Sequence, residues 1–227
     1  MSLPTQPRNR YRILSLLGQG PQGKVYLAED TYLDRRVALK IISLEHISQA
    51  DPRAVREALL GFQTEMQLLA ALHHPLILPF LDYGQVVVNG KSFVAFAMPL
   101  FPEGSLATWL RHRGDLAMPA FHEVSHILSQ AADALHHAHQ HHLTHLAIKP
   151  ENLLLRTRGA SSLPDTFVAE FGLTSLVAST STTRPKASGD PLYMAPEQWE
   201  GSPVAATDQY ALAVIGYFLL TGRTPYV

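Results

Sequence analysis

The sequence predicts an α+β chain in two lobes, a small antiparallel sheet with one main helix first and a mainly helical part second. Three observations carry this expectation. β-Branched and aromatic residues gather in short runs over the first hundred positions. Apolar residues recur at three- and four-residue spacing in one stretch before position 72 and in others after Gly104. Apolar residues make up 46% of the 227, against 16% charged, which is enough to bury a sizeable core.

Taken in order, Tyr11 to Leu17 is a short apolar run ending in glycines, and Lys24 to Ala28 and Val37 to Ile42 read as strands. Asp51-Pro52 opens a helical stretch to Leu72, with Leu59, Phe62, Met66, Leu69 and Leu72 on one face. His73-His74-Pro75 stops it. Strands are expected again around Ile77 to Leu81 and Phe93 to Met98. Pro119 to His139 is the next helix, with Phe121, Val124, Leu128, Ala132 and Leu135 to one side, and Val204 to Leu220 the last. Between them Ala178 to Ser188 is polar and low in complexity, hence a loop.

Composition excludes several functions. The formal net charge is −1, from 18 Lys+Arg and 19 Asp+Glu, so no electrostatic footprint for nucleic acid is present. With no cysteine there is no disulfide framework, thiolate metal site or thiol nucleophile. Met1 to Asn9 lacks the apolar character of a secretory signal. The most apolar run, Ala211 to Leu220, is about half the length that spans a bilayer. A cytoplasmic protein with no membrane segment within this chain is expected. The histidines from His136 to His142, with His145 beyond, read first as helix-end residues favoured by the dipole and only second as a metal site.

Gly18-Gln19-Gly20-Pro21-Gln22-Gly23 fits G-x-G-x-x-G. A dinucleotide fingerprint would lead into a helix, whereas Lys24-Val25-Tyr26-Leu27-Ala28 is strand. The glycines therefore cap a hairpin whose amides can lie over a polyphosphate. Seventeen residues past Gly23, Lys40 stands in an apolar strand as a candidate phosphate ligand.

His145-Leu146-Ala147-Ile148-Lys149-Pro150-Glu151-Asn152, then Glu170-Phe171-Gly172, then Met194-Ala195-Pro196-Glu197 follow in that order. Together with the glycine loop and Lys40 they resemble the protein kinase signature set from about Tyr11 to the C-terminus. Lys149-Pro150-Glu151-Asn152 is similar to the Ser/Thr branch, and the compact form to bacterial Ser/Thr kinases. The resemblance implies a bilobal kinase-like fold, with a tail at 1–10, an N-lobe at 11–98, a hinge at 99–103 and a C-lobe at 104–227. It implies ATP and Mg²⁺ as cofactors and a protein partner or substrate. Gly18, Gly20 and Gly23 would cover the phosphates, and Lys40, paired with Glu65, would hold them. Leu17, Val25, Ala38 and Leu154 would sandwich the adenine behind the gatekeeper Met98. Pro99 and Phe101 would read its edge, and Asn152 and Glu170 would hold the metal. Asp208 would tie the catalytic-loop backbone from below.

Four departures qualify this. Ala147 stands where the family has the aspartate that accepts the substrate proton, and Leu146 replaces the arginine on which a phosphorylated loop docks. Glu170 replaces the metal-binding aspartate and is one methylene longer. Asp190 replaces a threonine near the catalytic loop, and pairing with Lys149 would make it a compensating carboxylate. The resemblance therefore implies a pseudokinase with severely impaired phosphoryl transfer. A low-activity Ser/Thr kinase and a degenerate fragment without independent function stand as alternatives. Against the family the length is short, so the C-lobe is expected to lack its last helices. Glu197 would then miss its usual arginine, and the Ala211 to Leu220 helix would lose part of its cover.

Overall fold

The computed structural model describes residues 10–20, 23–44, 60, 63–64, 66–69, 72–88, 91–114, 118–157, 159, 163–171 and 190–226. Glu65, Leu59, Phe62, Gly172 and the Ala178 to Ser188 loop lie outside them. The chain divides into two compact units, Met1–Glu57 with Pro79–Leu100, and Ala58–Leu78 with Phe101–Val227.

The first unit is a five-stranded antiparallel sheet of β1 (Tyr11–Gly20), β2 (Gly23–Asp30), β3 (Arg35–Ser43), β4 (Asp82–Val88) and β5 (Lys91–Pro99), in the order β1-β2-β3-β5-β4. Register sorts its side chains. Val25 faces Lys40, Lys40 faces Phe96, and Ala38 faces Met98, so these share one face. Residues one step along point the other way. There Ala28, Val37, Leu39 and Ala97 form the buried cluster, with Tyr11 and Ile41 against it.

The strand expected at Ile77 to Leu81 is not formed. Pro79 has no N–H to give a ladder, and the ladder with β5 starts instead at Asp82 and runs through Val88. Ile77 makes an isolated bridge with Val168 in the second unit's own packing.

Arg10 joins the starts of the two edge strands. Its guanidinium gives two hydrogen bonds to the fully buried Asp30, at 2.9 and 2.8 Å, and one of 2.7 Å to Asp82. The rings of Tyr11 and Tyr32 lie 5.0 and 5.7 Å from it. Arg10 holds the Asp30 carboxyl below the usual carboxylate range. The sheet must coil for one side chain to reach both edges.

The second unit is mainly helical. Residues 60, 63–64 and 66–69 are helical, with Met66 and Leu69 buried as the apolar stripe requires. Helix α1 (Leu106–Arg113), which the sequence pattern did not single out, starts at Ser105, whose hydroxyl accepts from Thr108 N, and ends at Gly114 with φ 78°. Helix α2 (Phe121–Gln140) buries Val124, Ile127, Ala131, Ala134, Leu135 and Ala138. Phe121 is 76% exposed, so the buried stripe runs beside the one read from the sequence. A short hairpin, β6 (Leu153–Arg156) and β7 (Asp165–Val168), precedes α3 (Pro196–Trp199) and α4 (Ala205–Thr221).

Helix α4 packs along α2, where Gly216 lies against Leu128. It stops at Gly222, whose N–H reaches back 2.8 Å to Phe218 in the left-handed conformation (φ 74°) that glycine favours. Leu220 and Tyr217 stay exposed, and a groove of about 710 Å³ opens beside Phe121, Leu128 and Leu220. No helix among the described residues is long and apolar enough to cross a membrane.

Gly23 is the glycine of the loop on which packing acts directly. Its φ is 128°, and a Cβ there would collide with the Ile41 carbonyl oxygen. Gly23→Ala is expected to lower stability by about 1–3 kcal/mol, measured by urea unfolding. A loss under about 0.5 kcal/mol, the range of an ordinary surface change, would show that the β2–β3 approach is looser than described.

Candidate functional site

The sheet and the helical unit each present part of the kinase-type residue set. In the sheet, Val25, Ala38, Lys40 and Met98 share a face, Lys40 only 3% exposed and Met98 6%. Gly18 pairs with Val25, and Gly20 with Gly23 across the hairpin end, so the glycines do cap a hairpin. Leu17 is half exposed on β1. Pro99 closes β5 opposite Val37. Glu65, the expected partner of Lys40, is outside the described residues.

In the helical unit the site is built on one carboxylate. Asp208, 1% exposed near the start of α4, accepts the backbone N–H of His145 and of Leu146 and the His139 imidazole, each at 2.8 Å. Burial alone would raise its pKa, but the His139 hydrogen bond, His145 and the two amides hold it below the ordinary range. The loop above it continues the chain of bonds. His145 takes the Ala147 N–H on Nδ1 (3.2 Å) and gives Nε2–H to the Ala169 carbonyl (2.7 Å), which fixes the neutral tautomer. Burial pushes its pKa down. Phe171 meets the ring edge-on at 4.5 Å.

Ala147 is buried, and its carbonyl accepts from the Asn152 amide at 2.7 Å. The Asn152 carbonyl in turn accepts from Ala169 N at 2.9 Å. Asn152 thus spends an Nδ2–H on the loop. Glu170 follows Ala169 with φ 69°, which turns the chain sharply at the carboxylate. Leu154 lies on β6 opposite Phe167, whose ring meets Phe101 at 4.9 Å. Arg156 covers Phe101 at 4.3 Å. The Phe101 carbonyl accepts from Gly104 N at 3.0 Å.

The expected ion pair between Asp190 and Lys149 is not present among the described residues. The Asp190 carboxylate caps its own turn instead, accepting from Leu192 N at 3.1 Å. An aspartate two residues before an amide is placed to bond it, and that local bond outcompetes a more distant lysine. Tyr193 is pushed up to about 12 by burial and by the charges of Glu151 and Asp190. Glu197, expected to miss its usual arginine, accepts the Thr207 hydroxyl at 2.7 Å. Gln198, which the motif reading passed over, gives Nε2–H to the Leu146 carbonyl at 3.0 Å. Its one sequence signal was half of a capping box, a Gln three residues after an N-cap that, as Ala195, has no hydroxyl of its own. Among the described residues no group of three His, Asp or Glu could hold a metal. The histidines stack instead, His137 at 5.0 Å from His74 and 4.6 Å from His141.

A glycine-capped hairpin, a buried strand lysine and a loop of this geometry over a helix-borne aspartate define a protein kinase domain. The chain belongs to that family: the description "Protein kinase domain" matches residues 11–227. It is of the bacterial Ser/Thr type. It is 37% identical over 224 residues to the DNA damage-responsive serine/threonine-protein kinase RqkA of Deinococcus radiodurans, covering 96% of this chain and 30% of that one. The serine/threonine-protein kinase PrkC of Bacillus subtilis is 32% identical over 220 residues, covering 96% and 31%. PknD of Mycobacterium tuberculosis is 38% identical over 217 residues, covering 95% and 30%. The chain thus spans about a third of the length of these relatives. Among solved structures, a double mutant of the Mycobacterium tuberculosis PknI kinase domain matches with TM-score 0.71 and 28% identity, covering 96% of this chain and 78% of that one.

Two outcomes follow from the Asp208 network. Asp208→Ala leaves two buried amides and His139 without their acceptor, and should cost about 3 kcal/mol or more in denaturant unfolding. Stability should also fall with acid. His137 and His145 have folded pKa values below the ordinary 6.5, so below that pH the unfolded chain binds more protons and the fold loses stability. Asp208 contributes fully above its ordinary 3.8, and loses that contribution only as pH falls through its lower folded value. Thermal unfolding should be flat above about pH 7 and decline below about 6.5. His137→Gln should make that decline shallower, and an unchanged slope would remove His137 from the account.

Proposed function

We propose that this domain is a pseudokinase: it binds ATP, transfers phosphate at a severely impaired rate, and acts in signalling by nucleotide binding or contact with a protein partner. The observation that carries this reading is Ala147. Its backbone is held at both ends, by His145 and by Asn152, so the loop is formed, while the side chain there is a buried methyl group. A methyl group neither orients a hydroxyl nor takes its proton, and a positioned base is worth roughly 10²–10⁴-fold.

In this reading residues 11–98 act as the N-lobe, 99–103 as the hinge and 104–227 as the C-lobe. Gly18, Gly20 and Gly23 cover the phosphates, and Lys40, with Glu65, holds them. Leu17, Val25, Ala38, Met98 and Leu154 enclose the adenine, with the Pro99 carbonyl and the Phe101 amide reading its edge. The Asn152 Oδ1 and the Glu170 carboxylate are hard oxygen donors of the kind magnesium takes. That ion would neutralise phosphate charge when bound. Cytoplasmic location belongs to the same reading. The alternative of a low-activity kinase needs a substitute base, and Asp190 bonded into its own turn gives it little support.

Thermal unfolding with and without ATP, each with and without Mg²⁺, tests the reading. ATP at about 100 times its Kd should add roughly 2.7 kcal/mol, and Lys40→Met should remove most of that. Ala147→Asp should raise phosphoryl transfer by about 10²-fold or more. No shift under any condition and no transfer would leave the degenerate fragment as the account. Transfer by the unaltered chain at a rate comparable to the Ala147→Asp form would establish the active kinase.

A further inference from the structure

We propose that Gln198 is a positioning residue: it latches the Asp190–Trp199 stretch to the Leu146 carbonyl, and so sets where position 147 sits. The inference rests on the kinase reading of the 145–152 loop for its meaning, although not for its geometry. Gln198 stands at the third residue of α3. Its Oε1 accepts from Ala195 N at 3.1 Å and its Nε2 donates to Leu146 O at 3.0 Å, across 52 residues of sequence.

Leu146 is where the loop most needs holding. Its φ is 61°, a left-handed conformation that a leucine adopts only under constraint from its surroundings. The constraint is visible on both sides of the residue. Asp208 Oδ1 takes the Leu146 N–H at 2.8 Å, and Gln198 fills its carbonyl. The next residue is Ala147. Its place therefore depends on a carboxylate from α4 and an amide from α3.

The choice of side chain supports the second bond. A capping box is served equally by Glu or Gln, since only an acceptor is needed for the cap. Accepting from Ala195 and donating to Leu146 at once requires an amide, or a carboxylic acid that carries its proton. The latch also joins the loop, through a neutral contact, to the start of α3, which follows the Asp190–Tyr193 turn in the chain. Displacement of that turn, as by a bound protein segment, reaches position 147 with no phosphate and no arginine reader, in a chain that has Leu146 where that arginine would stand.

The test is amide hydrogen exchange by NMR on the full chain, comparing wild type, Gln198→Glu and Gln198→Met. At about pH 7.5 the introduced carboxylate still accepts from Ala195 but cannot donate. Protection at Ala195 should hold, while that at Leu146 and Ala147 falls about tenfold, the worth of one hydrogen bond. At about pH 5 a carboxyl placed against a carbonyl oxygen takes up a proton, donates again, and protection at Leu146 and Ala147 should return toward wild type at the same pH. Gln198→Met should lose protection at all three amides. A mere helix cap predicts that Gln198→Glu leaves Leu146 and Ala147 as in wild type at both pH values, and that result overturns the latch. Should Gln198→Met not fold, the two pH values of Gln198→Glu decide alone. An ATP shift measured on wild type separates the two readings. Loss of the shift with the latch intact removes the kinase reading only, and an intact shift with unchanged exchange removes the latch only.

Discussion

A carboxylate taken out of water must collect hydrogen-bond donors or take up a proton. Asp208 collects three, two of them backbone amides of consecutive residues and the third an imidazole. Much of the second unit's site depends on that demand. Helix α4 has to carry the carboxylate to a point where the amides of His145 and Leu146 converge, which turns Leu146 into the left-handed region. His145 is then placed to bridge Ala147 and Ala169, joining the loop to the segment after β7. The apolar character of α4, buried at Ala211, Val214, Ile215 and Leu219, serves the same end, because it excludes the water that would otherwise compete for Asp208.

The side-chain chemistry at position 147 and the architecture around it are therefore separable. The backbone at position 147 gives its N–H to His145 and accepts the Asn152 Nδ2–H on its carbonyl whatever side chain it bears. Replacing an acid by alanine there removes a reactive group without leaving a buried polar atom unpaired, and a loop can survive that change. Lys40 gives the contrasting case. A lysine 3% exposed in a sheet is expensive to keep for packing alone. It lies beside Val25 and Phe96 on the face opposite the cluster around Leu39, and in the reading proposed above it is kept there for the nucleotide's phosphates.

Legibility in the sequence followed how local each signal was. β2, β3 and β5 were visible because β-branched and aromatic residues filled them, α2 because its periodicity ran along 20 residues, and α4 because of its continuous apolar run. β4 was displaced by a few residues, since the apolar run before it contains Pro79 and its own start, Asp82-Tyr83-Gly84, looks like a turn. β6 and β7 are four residues each, too short to show a period. Within the site, motif order singles out Ala147, Asn152 and Glu170, and the bonds from Asp208 to the loop backbone are formed as the resemblance implies. It did not find what Asp190 bonds to, nor Gln198, because both depend on backbone directions that no spacing encodes. The expectation of an Asp190–Lys149 pair comes from losing a carboxylate at 147 and gaining one at 190, and the nearer Leu192 amide takes the Asp190 carboxylate.

The substitution at Glu170 shows how such constraints reach the chemistry. The backbone leading to it has little freedom. Val168 gives its N–H to Leu76 and accepts from Leu78, while Ala169 gives its N–H to Asn152 and accepts from His145. A side chain one methylene longer than aspartate on that fixed backbone places its oxygens about 1.5 Å, one carbon–carbon bond, farther out. Asn152 cannot follow, since its Nδ2 is bonded to Ala147 and its carbonyl to Ala169. Magnesium holds its oxygen ligands at about 2.0–2.1 Å in a near-ideal octahedron. The Glu170 side chain would have to fold back to serve the same point as an aspartate, losing rotamer freedom, or the ion would have to move away from Asn152. In the pseudokinase reading proposed above, either response would weaken magnesium binding, and both follow from the rigidity that holds Ala147 in place.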